Sequence, residues 1–214
     1  MVARIFPIYC GIIVLAVCHW VPLRAADSSG LNISASLDTI GEFGFGQTGE
    51  DFRRVYPREA ELAFYSPIDP DFDGTLSAAA HQESGQTVFE LHEGFISSSK
   101  LVHRSRIKFG QYFLGIGRLN RFHRHDWPFA STPLVHESFL DSEGVVDSGL
   151  EWSWLTPLPF FLDVTFGVAS GYTFGHTHSE GSRPEVPTAY ARPATYFSTG
   201  ETSGAELGVT VLYR

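Results

Sequence analysis

Residues 150–168 read LEWSWLTPLPFFLDVTFGV and contain two alternating segments joined by a proline-rich link. In the first, Leu150, Trp152 and Trp154 alternate with polar residues, and the segment from Leu162 to Val168 repeats the pattern. Successive side chains of a β-strand point to opposite faces, so each segment has one apolar and one polar face. The stretch therefore predicts an antiparallel hairpin with a shared apolar face.

The same two-residue period recurs along the rest of the chain. The clearest example is Ala205–Tyr213, whereas the pattern around Phe89–Phe95 is interrupted because Glu93 falls on the apolar side. The eight segments lie at residues 31–38, 59–64, 71–78, 89–95, 104–113, 150–154, 162–168 and 205–213. The sequence therefore predicts an all-β protein with an antiparallel sheet of about eight strands.

Long and short connections alternate between these segments. One set comprises residues 44–56, 82–85, 116–146 and 171–202, and the other comprises Pro67–Pro70, Ser98–Val102 and Thr156–Leu158. Outer-membrane barrels combine long external loops with short periplasmic turns and have aromatic residues near the strand ends, as this chain does. We therefore expect a transmembrane β-barrel, complete or part of a larger one, rather than a soluble β-sandwich.

The first 26 residues have the pattern of an export signal. Arg4 precedes an apolar stretch from Ile5 to Val21, and Ala25 and Ala26 provide small residues for cleavage. The alternatives are a membrane anchor and a lipoprotein signal ending at Cys18. We expect residues 1–26 to be removed and residues 27–214 to form an incomplete barrel domain in the outer membrane of a Gram-negative cell, reached through the periplasm.

Composition and charge exclude several classes of function. The formal net charge is −9, and loss of Arg4 and Arg24 would leave 13 basic against 24 acidic residues, about −11, which disfavours nucleic acid as a partner. Both cysteines, Cys10 and Cys18, lie in the export segment, so the mature chain would hold no disulfide or thiolate metal site. Gly-x-Ser-x-Gly, His-Glu-x-x-His and phosphate-binding motifs are absent, and we expect no enzyme.

Charged residues on the polar faces are candidates for lining a pore. Rings of charged side chains set the selectivity of channels. The alternative is that the same charges pair with each other and fill a narrow barrel. The candidates are Glu59, Glu61, Glu90, Arg104, Arg106 and Lys108.

The connection between residues 115 and 147 is the most distinctive part of the chain. It concentrates Arg118, Asn120, Arg121, His123 and Trp127 in one short motif. One hypothesis is a basic constriction that attracts anions, a second is a metal site, and a third is an ordered loop whose side chains satisfy buried partners. Candidate metal ligands are His123, His125, Asp126, His136 and, in a later loop, His176 and His178.

Three stretches carry a resemblance to a known family. They are Arg58–Phe64 with Asp69 and Pro70, then Lys108–Tyr112, and above all Gly117–His123 continuing to Phe129. They resemble porin-like outer-membrane β-barrel proteins, some of which are labelled zinc-regulated TonB-dependent outer membrane receptors. The resemblance implies a barrel that transports a small solute, with zinc as one candidate.

Two departures from that family qualify the resemblance. Few residues separate the export segment from the first strand, so there is no room for a plug domain and TonB coupling is not expected. The chain also ends at Tyr213–Arg214 without a terminal aromatic residue, and we expect a truncated relative with further strands beyond it.

The leading functional hypothesis is porin-like passage or uptake of small solutes. A more specific form of it is uptake of zinc or another metal. The alternative is a non-conducting structural or adhesive barrel whose external loops carry the function. The expected partners are outer-membrane lipid, a small solute or metal ion, and a second copy of the chain in a homo-oligomer. The sequence indicates no particular cofactor, and zinc is a candidate as a transported or bound ion.

Overall fold

A computed structural model describes residues 13–21, 30–44, 52–83, 86–171 and 186–214. The strands are β1 (Ile13–Val21), β2 (Asn32–Gly44), β3 (Phe52–Pro67), β4 (Asp73–Glu83), β5 (Gln86–Ser98), β6 (Ser105–Phe113), β7 (Val146–Leu155), β8 (Leu162–Ala169), β9 (Thr188–Ser198), β10 (Gly204–Gly208) and β11 (Val211–Tyr213). Within these described residues, helical elements are confined to the connection between β6 and β7. They are two 3₁₀ turns, Leu119–Arg121 and Arg124–Asp126, and a helix α1 (Leu134–Leu140).

All strands belong to one antiparallel sheet in which each strand pairs with the next from β1 to β10, while β11 also pairs with β9. The all-β antiparallel prediction is confirmed. Within the described ranges no ladder joins β1 or β2 to β10 or β11, so the sheet is open. β1 lies in the segment that the sequence predicts to be an export signal, and that prediction stays untested.

The two faces of the sheet differ in polarity. Directly opposed residues share a face, and Ile96, Phe109, Leu150 and Val168 form one exposed apolar row across β5 to β8. We call this the apolar face. The opposite side, the polar face, carries buried charged residues that include Asp38, Glu59, Glu61, Glu151 and Arg192.

A β-bulge in β5 changes which residues reach each face. Ser77 opposes Glu93 while Ala78 opposes Leu91, so His92 is the extra residue. A bulge shifts the alternation by one position. The sequence pattern places Phe95 on the same face as Phe89 and Leu91, and this prediction is wrong. Phe95 is buried against Tyr112 on the polar face.

The sequence predicts a long loop at residues 171–202, and this prediction is wrong for residues 188–198, which form β9. β9 forms a hairpin with β10 through residues 199–203. β10 and β11 continue a single register on β9, with Gly208 opposite Ala194 and Val211 opposite Ala191. The ladder is interrupted opposite Pro193, which has no N–H to donate.

The two ends of the sheet have different connections. At one end the strands are joined by short segments at residues 68–72, 99–104, 156–161 and 199–203. At the other end are the long connections, residues 114–145 and 170–187, together with residues 45–51 and 84–85. The connection of residues 114–145, which we call the long loop, folds back onto the polar face. No helix among the described residues is long and apolar enough to cross a membrane.

Candidate functional site

Asn120 joins the two ends of the long loop, and its side chain is completely buried. Its Nδ2 donates to the carbonyl oxygens of Leu114 and Val145 at 2.9 and 3.0 Å. Its Oδ1 accepts from the Val145 N–H at 2.6 Å. These three bonds join the start of the loop to its end, so the loop leaves and re-enters the sheet as one closed unit.

Trp127 holds the middle of the long loop. Its indole Nε1 donates to the carbonyl oxygens of Leu119 and Phe122 at 3.1 and 3.0 Å, and its ring packs edge-on against His136 with centroids 4.7 Å apart. The two 3₁₀ turns lie between these contacts. His123, in extended conformation, connects them and reaches the polar face of β3 and β5.

Three imidazoles and three carboxylates meet where the long loop touches β3 and β5. Glu59 and Glu61 come from β3, His92 and Glu93 from the bulge of β5, and His123 and His125 from the loop. We call these six residues the His–Glu cluster. The His123 ring lies 5.6 Å from both the His92 ring and the His125 ring, measured between centroids.

Polar contacts link four residues of the cluster in a chain and join the other two as a pair. His92 Nδ1 lies 3.2 Å from Glu61 Oε2, and His123 Nδ1 contacts the same oxygen. His123 Nε2 lies 3.0 Å from Glu93 Oε2, and His125 Nδ1 lies 3.3 Å from Glu59 Oε1. Buried carboxylates need such partners, because an unpaired buried charge is costly.

The electrostatics of the cluster favour charged loop histidines when no metal is bound. Burial opposes the charge on His123, but the hydrogen bonds with Glu61 and Glu93 outweigh it and raise the pKa of His123 to about 10. Burial also opposes the charge on His125, where Glu59 and the nearby Asp126 raise its pKa. Burial lowers the pKa of His136. The loop is therefore attached to the sheet through opposite charges.

A second group of metal-type ligands adjoins the cluster. His81, Glu90 and Glu143 place ligand atoms within 4.8 Å of one another and of His92, which the two groups share. His81 Nδ1 is buried and has no hydrogen-bond partner among the described residues. Glu143 lies 3.4 Å from Arg124.

A charged cavity of about 590 Å³ occupies the polar face beside the long loop. Lys108 Nζ lies 3.2 Å from Glu151, which also accepts from the Tyr190 hydroxyl at 2.7 Å. Arg118 and Arg192 both pair with Glu206 on β10. Four basic and four acidic side chains line the cavity, namely Arg106, Lys108, Arg121, Arg192, Glu93, Glu151, Asp163 and Glu206.

Gly167 permits one of these contacts. A Cβ at this position would lie 2.1 to 2.4 Å from the ring and hydroxyl of Tyr190. Only glycine therefore leaves room for Tyr190 to reach Glu151 across β8.

The residues predicted to line a pore lie in several different places in the structure. Arg106 and Lys108 line the cavity, and Glu59 and Glu61 belong to the His–Glu cluster. The predicted position of Arg104 on a pore-lining strand is wrong. Arg104 lies in the turn before β6, with a φ of 58°. It donates to the carbonyl oxygens of Leu155 and Thr156 at 2.9 and 3.0 Å, so it holds the short-connection end together. Glu90 is exposed beside the second ligand group.

The predicted metal ligands are likewise divided. His123 and His125 lie side by side in the His–Glu cluster. Asp126 Oδ1 is 3.7 Å from His125 Nε2, and His136 packs on Trp127 outside the candidate ligand groups found among the described residues. His176 and His178 lie outside the described residues.

Sequence reasoning did not identify His92 and Glu93 as site residues. The signal was present, since Glu93 broke the alternation of its segment and such a break indicates a bulge. Arg192 was missed for another reason, because its strand had been assigned to a loop.

Comparisons with known proteins give little further information. No family model and no solved structure matches the chain. An uncharacterized protein of Aquifex aeolicus (strain VF5) is 39% identical over 103 residues, which cover 48% of this chain and 21% of that relative. The match thus spans about a fifth of the relative's length, and a functional assignment has to rest on the geometry and chemistry of the residues.

Proposed function

We propose that this chain forms the wall of an outer-membrane β-barrel and that its polar face lines a passage for small polar solutes, narrowed by the long loop. The observation that carries the proposal is the inverted polarity of the sheet. Large apolar side chains such as Phe109 (62% exposed) face outward, while Glu59 and Glu151 are 3% and 4% exposed. In water this distribution would be unfavourable, whereas hydrocarbon on the apolar side makes it favourable.

Strand lengths support the same proposal. A tilted strand needs about 9–11 residues to cross the hydrocarbon core. β4, β6, β7 and β9 have 11, 9, 10 and 11 residues, and β2 and β5 have 13 each. The two longest connections, residues 114–145 and 170–187, lie at the same end of the sheet, as in barrels whose long loops lie outside the cell.

Closure of the sheet is part of the proposal. An unpaired backbone group in hydrocarbon costs several kcal/mol, so both edges of the open sheet, β1 on one side and β10 with β11 on the other, need partners in the membrane. Those partners are either strands outside the described residues or a neighbouring copy. The mass of the refolded protein, measured by light scattering with the detergent contribution subtracted, decides between closure within one chain and closure between copies.

The charged cavity supports passage of solutes rather than a solid interior. Its four basic and four acidic lining groups balance, so we expect weak selectivity between small cations and anions. The long loop lies across the polar face from β3 to β10, through the contacts of His123 with Glu61 and of Arg118 with Glu206. It therefore occupies the place of a constriction.

The test is conductance of the refolded chain in a planar lipid bilayer. We expect stepwise currents with a reversal potential near zero in a salt gradient. Replacing Lys108 and Arg106 by Glu should shift the reversal potential toward cation selectivity, while Arg104→Glu, in the turn, should shift it little. A membrane that stays silent with correctly folded protein would reject the passage and favour a non-conducting structural barrel.

A further inference from the structure

We propose that Glu61, His92 and His123 form a binding site for a divalent transition-metal cation, with zinc as the representative ion. The proposal deepens the proposed function and rests on it only in placing the site along the passage. The ligands come from three separate parts of the chain: β3, the bulge of β5 and the long loop.

The donor atoms converge on one place, and the spacing of one pair already suits a shared ion, while His123 Nδ1 and Glu61 Oε2 would move apart to admit it. Glu61 Oε2, His92 Nδ1 and His123 Nδ1 converge, and ligand atoms of these three residues lie within 4.8 Å of one another. Around a tetrahedral zinc with bonds of about 2.0–2.1 Å, neighbouring ligand atoms are roughly 3.3 Å apart. The distance between His92 Nδ1 and Glu61 Oε2 is 3.2 Å. Two imidazoles and a carboxylate are ligands that zinc and similar ions accept.

A second carboxylate orients one of the ligands. Glu93 Oε2 lies 3.0 Å from His123 Nε2, on the side of the ring away from Glu61. Binding of the ion displaces the Nδ1 proton of the charged His123 ring into solvent, while Nε2–H keeps donating to Glu93, and the neutral ring then presents the lone pair of Nδ1 to the ion. Metal-bound histidines almost always have such a partner, which sets the tautomer and strengthens the ligand.

The surroundings of the site favour binding over hydration. The Phe113 ring packs 4.7 Å from the His123 ring and 6.0 Å from the His92 ring, measured between centroids. The side chains of Glu61 and His92 are each 8% exposed and that of His123 is 14% exposed. Three protein ligands leave the fourth position of a tetrahedral ion open, as in sites whose ion exchanges a ligand.

The adjoining ligand group extends the site toward the long-connection end. His81 and Glu90 flank the short link between β4 and β5 at that end, and both lie near His92. An ion entering from that end would meet His81, Glu90 and Glu143 before it reaches Glu61 and His123. His92, shared by both groups, would pass it from one set of ligands to the next.

The experiment is zinc binding to the full chain, refolded in detergent and freed of metal with a chelator, followed by titration calorimetry. We expect one tight site in the wild type that is weakened more than 100-fold in Glu61→Gln, His92→Ala and His123→Ala. His103→Ala is the matched control, since His103 is exposed in the turn before β6. Glu93→Gln should weaken binding by about 10–100-fold, the usual cost of losing a carboxylate behind a metal-bound histidine.

Cobalt provides a readout that a purely structural role would not affect. Tetrahedral Co²⁺ bound by the wild type should show intense d–d absorption, and Glu61→Gln, which preserves the size of the side chain, should lose it. Circular dichroism on the same samples should be unchanged, which separates loss of a ligand from loss of the fold.

Two outcomes would overturn the proposal. One is a wild type that takes up no zinc, which would leave the cluster as a set of ion pairs holding the loop. The other is tight binding lost only in His176→Ala/His178→Ala and retained in Glu61→Gln and His123→Ala. Conductance is measured separately, so a silent bilayer with intact zinc binding would reject the passage and leave the site standing.

Discussion

The apolar and polar faces of the sheet reverse the usual arrangement of a folded protein. On the apolar face, Phe109, Val168 and Leu207 are 62%, 57% and 62% exposed. On the polar face, Asp38, Asp147 and Glu151 are 2%, 1% and 4% exposed. Residues of the two faces alternate along a strand, as the exposed Leu150 and the buried Glu151 do on β7, so their difference in exposure depends on the face and not on the strand.

The buried charges of the polar face are stabilised by specific hydrogen-bond and ion-pair partners. The exposed side chains of the apolar face depend instead on the medium around them. Asp147 accepts hydrogen bonds from the Ser170 hydroxyl and the Gly171 N–H at 2.5 and 2.7 Å. Glu151 has Lys108, Tyr190 and the Gly115 N–H as partners. Within the described ranges nothing covers the apolar row, which is the side we assign to lipid. We therefore expect an apolar substitution to destabilise the polar face and a charged substitution to destabilise the apolar face.

The largest effect is expected from an apolar substitution on the polar face. Glu151→Leu removes the acceptor shared by Lys108, Tyr190 and Gly115 and should destabilise the folded state by about 3–5 kcal/mol, the usual cost of breaking a buried ion pair. Urea titration of the protein in lipid vesicles, followed by tryptophan fluorescence, measures the change. Glu151→Gln, which keeps a hydrogen-bond acceptor, should cost clearly less. A leucine tolerated at less than 1 kcal/mol would mean that the polar face does not depend on paired charges.

A charge on the apolar face should have the next largest effect. Phe109→Arg, in the middle of β6, should cost about 2–4 kcal/mol if the side chain meets the centre of a bilayer. Leu158→Arg, in the short connection after β7, should cost about 0–1 kcal/mol because it would lie near the membrane interface. The same titration compares the two variants. Equal and small effects would indicate that both positions face water.

A smaller effect is expected where the long loop leaves the sheet. Asn120→Ala removes three buried hydrogen bonds and leaves the Val145 N–H without its acceptor, which should cost about 1–3 kcal/mol, while the carbonyl oxygens of Leu114 and Val145 keep the N–H groups of Ile116 and Leu114 as donors. The loss should be local, so hydrogen exchange should rise in residues 114–145 and stay unchanged in β7 and β8. If the loop narrows the passage, single-channel conductance should also rise. Unchanged exchange in the loop would contradict the role assigned to Asn120.

The smallest effect is expected at Arg118. Its side chain is 69% exposed, and it pairs with Glu206 at 2.6 Å. Arg118→Ala should cost about 0–1 kcal/mol, because exposed ion pairs contribute little, and Arg192 remains to pair with Glu206. A cost above 2 kcal/mol in the urea titration would contradict this prediction, because it would mean that the pair contributes more than an exposed ion pair does.

The sequence predicted strands best where large apolar residues alternate with polar ones. The patterns at Leu150–Trp154, Leu162–Val168 and Ala205–Tyr213 agree with β7, β8 and the β10–β11 edge. β9 was missed because Ala189, Ala191 and Pro193 occupy its outer positions. Small residues and a proline give no apolar period, although Tyr190 and Arg192 alternate with them on the polar face.

The candidate site was predictable in part. The concentration of His123 and His125 in one loop marked them as candidate ligands, and Glu59 and Glu61 stood out as charges on a strand. That the loop would fold onto β3 could not be inferred, because alternation fixes the faces of strands but not the path of a connection. The role of His92 depended on a bulge whose only trace was the misplaced Glu93.

The most direct test of the inverted sheet is a spin-label scan along β8 in liposomes. Single cysteines would replace residues 162–168 one at a time in a chain without Cys10 and Cys18. Labels at Val164, Phe166 and Val168 should be accessible to oxygen dissolved in lipid and shielded from a water-soluble nickel reagent, while labels at Asp163 and Thr165 should not show this preference. Equal exposure of Val164, Phe166 and Val168 to the nickel reagent would contradict the assignment of the apolar face to lipid.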